Sequence, residues 1–206
     1  MIRTFRNLAR LIVIIRTLAR YDALFLHDLR DSLPGLALIG RLMSRRQVPG
    51  RPGQRLAKAL VELGPTFIKL GQALSTRSDL VGEQIAADLA ELQDRLPPFP
   101  ADQARRIIED QLEKPIEALF SSFDDQAVAA ASIAQVHFAV TTEGEEVAVK
   151  VLRPGLEHRF RRDIDLLYWL TDLATRAQPR LRRLRLTEVV EMFERTTRIE
   201  MDLRME

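Results

Sequence analysis

Apolar residues along the first twenty positions recur at helical spacing. At about 100° per residue, Arg3, Arg6, Arg10, Arg16 and Arg20 fall on one side, with Leu8, Leu11, Ile12, Ile14, Ile15 and Leu18 on the other. The pattern predicts a basic amphipathic helix. A helical period continues through Phe123, broken at Pro34-Gly35, Pro49-Gly50-Arg51-Pro52-Gly53, Gly64-Pro65 and Pro97-Pro98-Phe99-Pro100. From Gln126 small residues take over. Gln135–Val140 then reads as a strand, 141–145 as a polar turn, and Glu146–Leu152 as a second strand with alternating Val147, Val149 and Val151. After Pro154-Gly155 the helical period returns with Phe160, Ile164, Leu167, Leu170 and Leu173/Ala174 on one face, until Gln178-Pro179. A last helix is predicted from Thr187, its cap, through the final residue.

The amino-terminal helix carries no acid. Its longest apolar run, Leu11–Ile15, is five residues, against the roughly 20 that a membrane-spanning helix needs. Two placements remain open: on anionic lipid, or with its apolar face docked on the protein's own core. A mitochondrial transit peptide is a third reading, weakened by the absence of serine.

Composition narrows the class. Of 206 residues, 46% are hydrophobic and 29% charged, too apolar for disorder and too charged for a polytopic membrane protein. Cysteine is absent, which removes disulfides, thiolate metal sites and a cysteine nucleophile. His27, His137 and His158 are too scattered for a metal site, so no metal-ligating residues are assigned. The 31 basic residues comprise 27 Arg and four Lys (58, 69, 114 and 150). Arg176, Arg180, Arg182, Arg183 and Arg185 read as a solvated linker. With aromatics at 6%, no nucleic-acid partner is expected.

Ala129, Ala131, Ala134 and Val136 stand at the spacing small-x-small-x-x-small-x-Val, the glycine-rich loop of protein kinases with alanine at each glycine position. Small residues are required where backbone must lie close over nucleotide phosphates. Fourteen residues beyond Val136, Lys150 ends Val147-Ala148-Val149-Lys150, the pattern of the kinase lysine strand. Period 2 puts Ala148 and Lys150 on one face and the valines on the other. The lysine then suits a phosphate, as a compact point charge, and the alanine leaves room for a flat base. The alternative is an edge strand with a solvated lysine. A helix from Pro65 places Thr66, Lys69, Gln72 and Thr76 on one polar face, with Phe67, Leu70, Gly71 and Leu74 opposite. By itself this reads as a solvated helix face. In the last helix Asp202 and Glu206 share a face, Glu200 is turned away from Asp202, and Glu200 with Arg204 could form an exposed ion pair.

Lys69-x-Gly71-Gln72, the run Ala129–His137, Val147-Ala148-Val149-Lys150 followed by Arg153-Pro154-Gly155, and Glu200-x-Asp202 followed by Glu206 together resemble the UbiB-type family of atypical, kinase-like proteins associated with ubiquinone biosynthesis. The resemblance covers about residues 20–206. It implies an α+β fold: a helical extension carrying Lys69 and Gln72, which occludes the peptide-substrate cleft, and a kinase-like N-lobe with a small antiparallel sheet and the kinase helix αC. Together with the amphipathic pattern, the expected domains are 1–25 (the basic helix), 26–122 (the extension) and 123–206 (the incomplete N-lobe). It also implies Mg²⁺-dependent ATP binding and hydrolysis. Ala131, Ser132 and Ala134 then line the phosphates, with Ala129, Val136 and Ala148 in the nucleotide site. Lys150 contacts the nucleotide, Glu206 pairs with Lys150, and Glu200 with Asp202 forms an acidic motif near the cleft. Alanines in the loop are implied to bind ATP more weakly than glycines would.

The catalytic Asp, its downstream Asn and the Asp-Phe-Gly of a kinase belong to the second lobe. The chain's single asparagine is Asn7, and neither Asp-Phe-Gly nor His-Arg-Asp occurs. The expectation is a chain truncated before the C-lobe and inactive alone. Its expected partners are a nucleotide, an anionic membrane surface, and a separately encoded C-lobe or ubiquinone-biosynthesis proteins. Its expected location is cytoplasmic, peripheral on the inner membrane. The competing class is a non-catalytic helical scaffold or regulatory module with a remnant nucleotide loop.

Overall fold

The computed structural model describes residues 2–23, 48–92 and 96–205, so the Pro34-Gly35 break, His27 and Glu206 lie outside the described residues. The fold is α+β. Its elements are α1 (Ile2–Arg20), α2 (Pro52–Leu63), α3 (Pro65–Ser75), α4 (Ser78–Val81), α5 (Glu83–Ala90), α6 (Ala101–Leu112), α7 (Ile116–Leu119), β1 (Phe120–Phe123), β2 (Ala129–Ala130), β3 (Ala134–Thr141), β4 (Glu146–Leu152), α8 (Leu156–Ala177), a 3₁₀ turn (Pro179–Leu184), α9 (Leu186–Met201) and a last 3₁₀ turn (Leu203–Met205). They gather into two compact units, residues 1–92 with 159–206, and residues 93–158.

The first unit is helical. Proline at the first turn starts α2 and α3, where its missing N–H costs no hydrogen bond. Gly64, at φ 105°, makes the corner between them. Gly71 lets α3 sit tightly on its neighbours: a Cβ there would come within 2.6 Å of Leu92 Cδ1 and 2.7 Å of Leu60 Cδ1. Helix α1 runs where the amphipathic pattern predicts, with a different inward face. Asn7, Ile14, Thr17 and Ala19 are buried. Arg10 points inward to a bidentate pair with Asp163 of α8 at 2.8 and 3.0 Å, its Nη2 donates to Leu63 O at 3.2 Å, and it lies over the Phe67 ring. Arg20 pairs with Glu62, and Asp22 with Arg55 at 3.2 Å. Phe5, Leu8, Ile12 and Val13 face outward, 76%, 46%, 48% and 48% exposed.

In the second unit β3 is the central strand. β4 pairs along one edge over Ala134↔Leu152 to Val140↔Glu146, and β1 and β2 pair with the two ends of the other edge, all antiparallel. Gly144, at φ 91°, sits in the β3–β4 turn, which is closed by Thr141 N–H to Glu145 O. Val149 and Val151 join Ala104, Ile108, Ile116, Phe120 and Phe123 in the core, so the valine face packs against α6 and α7. Strand β1 lies in a stretch whose periodicity reads as helical. A four-residue strand is too short to display its period, and its place comes from pairing with residues 139–141 of β3.

The last helix departs from its sequence pattern at both ends. It begins at Leu186, after Arg185 in the left-handed region (φ 46°), and Thr187 is not its cap. It stops at Met201. Asp202 leaves helical geometry (φ −91°, ψ 88°), and its Oδ1 accepts the Arg204 N–H at 3.2 Å, starting the final 3₁₀ turn. An aspartate side chain competing for a backbone donor ends the helix there.

Candidate functional site

The register of the sheet assembles one face of the second unit. Ala129 pairs with Val136, Val136 with Lys150, and Phe138 with Ala148. Directly paired residues point to the same side of a sheet, so these five side chains share one face across three strands. Gln135, His137 and the valines of β4 lie on the other. Ala129 and Ala148 are exposed, and Val136 and Lys150 are half-buried. Phe138, 58% exposed, is an aromatic neighbour that the loop and lysine motifs do not mark. Pairing with Ala148, the position expected to leave room for a base, is the signal that finds it.

The alanine-rich segment is a tight hairpin tip between β2 and β3. Ala131 N–H donates to Ala134 O at 2.7 Å, and Val128 N–H donates to Val136 O at 2.9 Å. Ala131 is half-buried, whereas Ser132 (0% exposed), Ile133 and Ala134 are buried. The Ser132 side chain is therefore enclosed by protein in this loop geometry.

Behind the sheet runs a polar network. Gln135 Oε1 accepts the Phe99 N–H at 2.8 Å, and its Nε2 donates to Phe99 O at 3.2 Å and to His137 Nε2 at 2.8 Å. His137 Nδ1 then donates to Asp124 O at 2.8 Å, and the ring stacks on Phe123 with centroids 5.0 Å apart. His137 is a satisfied core histidine. Arg153 spans the same region: Nε donates to Ala131 O at 2.9 Å, Nη2 to Pro97 O at 3.0 Å and its backbone N–H to Ile133 O at 2.9 Å.

The other motif residues lie in the helical unit. Lys69 of α3 meets Glu200 of α9, Nζ to Oε2, at 2.8 Å, with the lysine side chain only 14% exposed. This corrects the reading of the Thr66–Lys69–Gln72–Thr76 face as solvated in its first three positions: Thr66 is buried, Lys69 nearly so, and Gln72 half-buried, while Thr76 is exposed. Glu200 is paired with Lys69, and the Glu200–Arg204 surface pair does not form. Arg204 instead holds Asp202 at 2.8 Å through both carboxylate oxygens. The hydrogen bond from Arg204, with the Arg204 backbone N–H, keeps the Asp202 carboxyl below its ordinary range. The helix ends at Met201, so Asp202 lies past its last turn, and the expected pairing of Asp202 with Glu206 on one face falls outside the described residues. Among the described residues no group of three or more His, Asp or Glu converges as a metal site, and no described helix is long and apolar enough to cross a membrane.

Comparison with known proteins places this geometry in a family. Residues 91–206, more than half of the chain, match the ABC1 atypical kinase-like domain. The chain is 46% identical over 203 residues to a probable protein kinase UbiB of Pseudomonas paraeruginosa, covering 94% of this chain and 38% of the relative. It is 47% identical over 173 residues to the protein of the same name in Azotobacter vinelandii, covering 82% and 32%. The chain thus spans roughly a third of the length of these curated relatives. Among solved structures, a chain of the Rv3197–erythromycin complex from Mycobacterium tuberculosis aligns with TM-score 0.47 and 34% identity, over 74% of this chain and 38% of that one.

Proposed function

Since the chain belongs to the UbiB-type, ABC1 atypical kinase-like family, we propose that it is the N-terminal part of a UbiB-like kinase or ATPase that binds Mg-ATP and supports ubiquinone biosynthesis at a membrane surface. The observation that carries this reading is the row Ala129, Val136 and Lys150, in register across three strands with Ala148 and Phe138 beside it. Small and flat side chains leave space on that face for a base, and Lys150 stands at its edge as a point charge for phosphate. The alanine-rich tip supplies backbone N–H groups in place of side-chain donors. Bound ATP would supply the transferable phosphoryl group. The described residues do not form a Mg²⁺ site of their own, so no step is assigned to the metal through them. Lys69 and Glu200 neutralise each other in a separate constellation of the same reading, the cleft-occluding and acidic motifs.

Helix α1 supports the membrane part of the proposal. Its inner face is engaged by Asp163 and Leu63, while Phe5, Leu8 and Ile12 remain on an outward stripe with Arg16. An exposed apolar row beside a cation suits an anionic bilayer surface. The partners under this reading are the nucleotide, that surface, and a separately encoded second lobe or other ubiquinone-biosynthesis proteins, on the cytoplasmic side of the inner membrane.

Thermal shift with Mg-ATP tests the nucleotide site: the wild-type chain is expected to gain stability, and Lys150→Met to lose that gain. No shift in either protein overturns the proposal. The chain alone is expected not to hydrolyse ATP, and turnover abolished by Lys150→Ala would contradict that.

A further inference from the structure

The geometry points to Arg153 as the positioning residue of the alanine-rich loop, holding the loop in the shape that meets nucleotide phosphate. This rests on the nucleotide reading of the loop and adds a residue for which the loop and lysine motifs supply no role. Arg153 bonds the loop twice, through Nε to Ala131 O and through its backbone N–H to Ile133 O. It also anchors the loop outward, through Nη2 to Pro97 O, with its guanidinium 5.8 Å from the centre of the Phe99 ring. Gln135 holds Phe99 by both backbone groups, so the anchor is itself fixed.

A trans peptide is planar, with its C=O and N–H pointing in opposite directions. Pinning Ala131 O therefore sets the direction of the Ser132 N–H, and pinning Ile133 O sets that of the Ala134 N–H. Two peptides of the tip are thus held by Arg153 without any side chain of the loop taking part. Glycine loops leave such peptides free to rotate, whereas here three alanines and one guanidinium restrict them. Arg153 is also three residues beyond Lys150, just past the end of the strand that carries it, so loop and lysine are placed by the same short segment. A planar fork can reach Ala131 O and Pro97 O together, and a lysine ammonium on one flexible stem has no such geometry.

The experiment compares wild type, Arg153→Ala, Arg153→Lys and, as a control for general destabilisation, Ile108→Ala, which opens a cavity in the core on the valine side. Each is titrated with Mg-ADP and with adenosine, and hydrogen exchange of the Ala131 amide is followed by NMR. Arg153→Ala is expected to weaken Mg-ADP binding about ten-fold, the loss of one or two charge-assisted positioning bonds, while adenosine binding is unchanged. Exchange at Ala131 is expected to accelerate in Arg153→Ala and in Arg153→Lys but not in Ile108→Ala. Wild-type exchange at Ala131 in Arg153→Ala overturns the proposal, as does equal weakening of ADP and adenosine. If wild type binds neither ligand, the nucleotide reading itself fails, and selective exchange at Ala131 then decides the loop-setting role by itself.

Discussion

Lys69 and Glu200 form a 2.8 Å ion pair between α3 and α9, joining two sequence motifs that lie far apart in the chain. The lysine end is mostly enclosed and the glutamate end 40% exposed, so solvent screens part of the attraction. Lys69→Met and Glu200→Gln should each cost about 1 kcal/mol, and the double variant should cost less than the two added together. Urea unfolding of the four proteins of this cycle measures the coupling. Strict additivity would mean that the pair does not hold α3 and α9 together.

Arg10 and Asp163 should behave differently from the other arginines of α1. Asp163 is 3% exposed, and among the described residues its other cation partner is Arg162 at 3.8 Å. Arg10→Met should therefore destabilise the chain by about 2 kcal/mol, the range expected when one member of a buried pair is removed and a weaker partner remains. Phe5→Glu with Ile12→Glu should leave the melting temperature near wild type and abolish flotation with anionic vesicles. Unaltered flotation would remove the outward stripe of α1 as a lipid contact.

Gly53 is held against Asp88 so closely that a Cβ would lie 2.4 Å from Asp88 Cβ. Gly53→Ala should cost about 2 kcal/mol, because the obstructing atom is next to backbone and cannot rotate away. Arg51 donates to Asp88 Oδ1 at 2.8 and 2.5 Å, and this hydrogen bond, opposed by burial, holds the carboxyl below its usual range. A depressed carboxyl stabilises the fold fully above the unfolded value and loses that contribution as pH falls through the folded one. The deficit of Asp88→Asn in urea midpoints should thus stay constant from neutral pH to about pH 4 and narrow below it. A deficit that grows in acid contradicts this.

Tyr168 donates to Glu194 Oε2 at 2.9 Å, linking α8 to α9. Burial first, and the Glu194 carboxylate second, push the phenol up to about 12. Its stabilisation is present below the unfolded value near about 10 and is lost as pH rises through the folded one. Ultraviolet titration of the two tyrosines should show one late ionisation that disappears in Tyr168→Phe. A late step that persists in that variant would contradict the assignment.

Much of the fold could be read from local pattern. The alternation of Val147, Val149 and Val151 placed β4 and its inner face, the polar turn at 141–145 placed the hairpin, and Pro65 and Pro154-Gly155 placed the starts of α3 and α8. These signals are local because strand period, turn chemistry and proline geometry act within a few residues. Strand β1 was not legible, since four residues carry too little period. Nor was the end of α9, where Asp202 took a backbone donor that helix periodicity does not anticipate.

Residue types and their spacing are local properties of the chain: small residues at the loop, one lysine fourteen positions on, and a lysine and an acidic pair elsewhere. Which partners they meet is set by packing. It turned Arg10 inward to Asp163, paired Lys69 with Glu200 in place of the local choice Arg204, set Phe138 beside Ala148, and brought Arg153 onto the carbonyls of the loop. The physical reason is that periodicity assigns a side chain to a face, whereas an ion pair or a hydrogen bond depends on what packs against that face. That is fixed by residues distant in the chain.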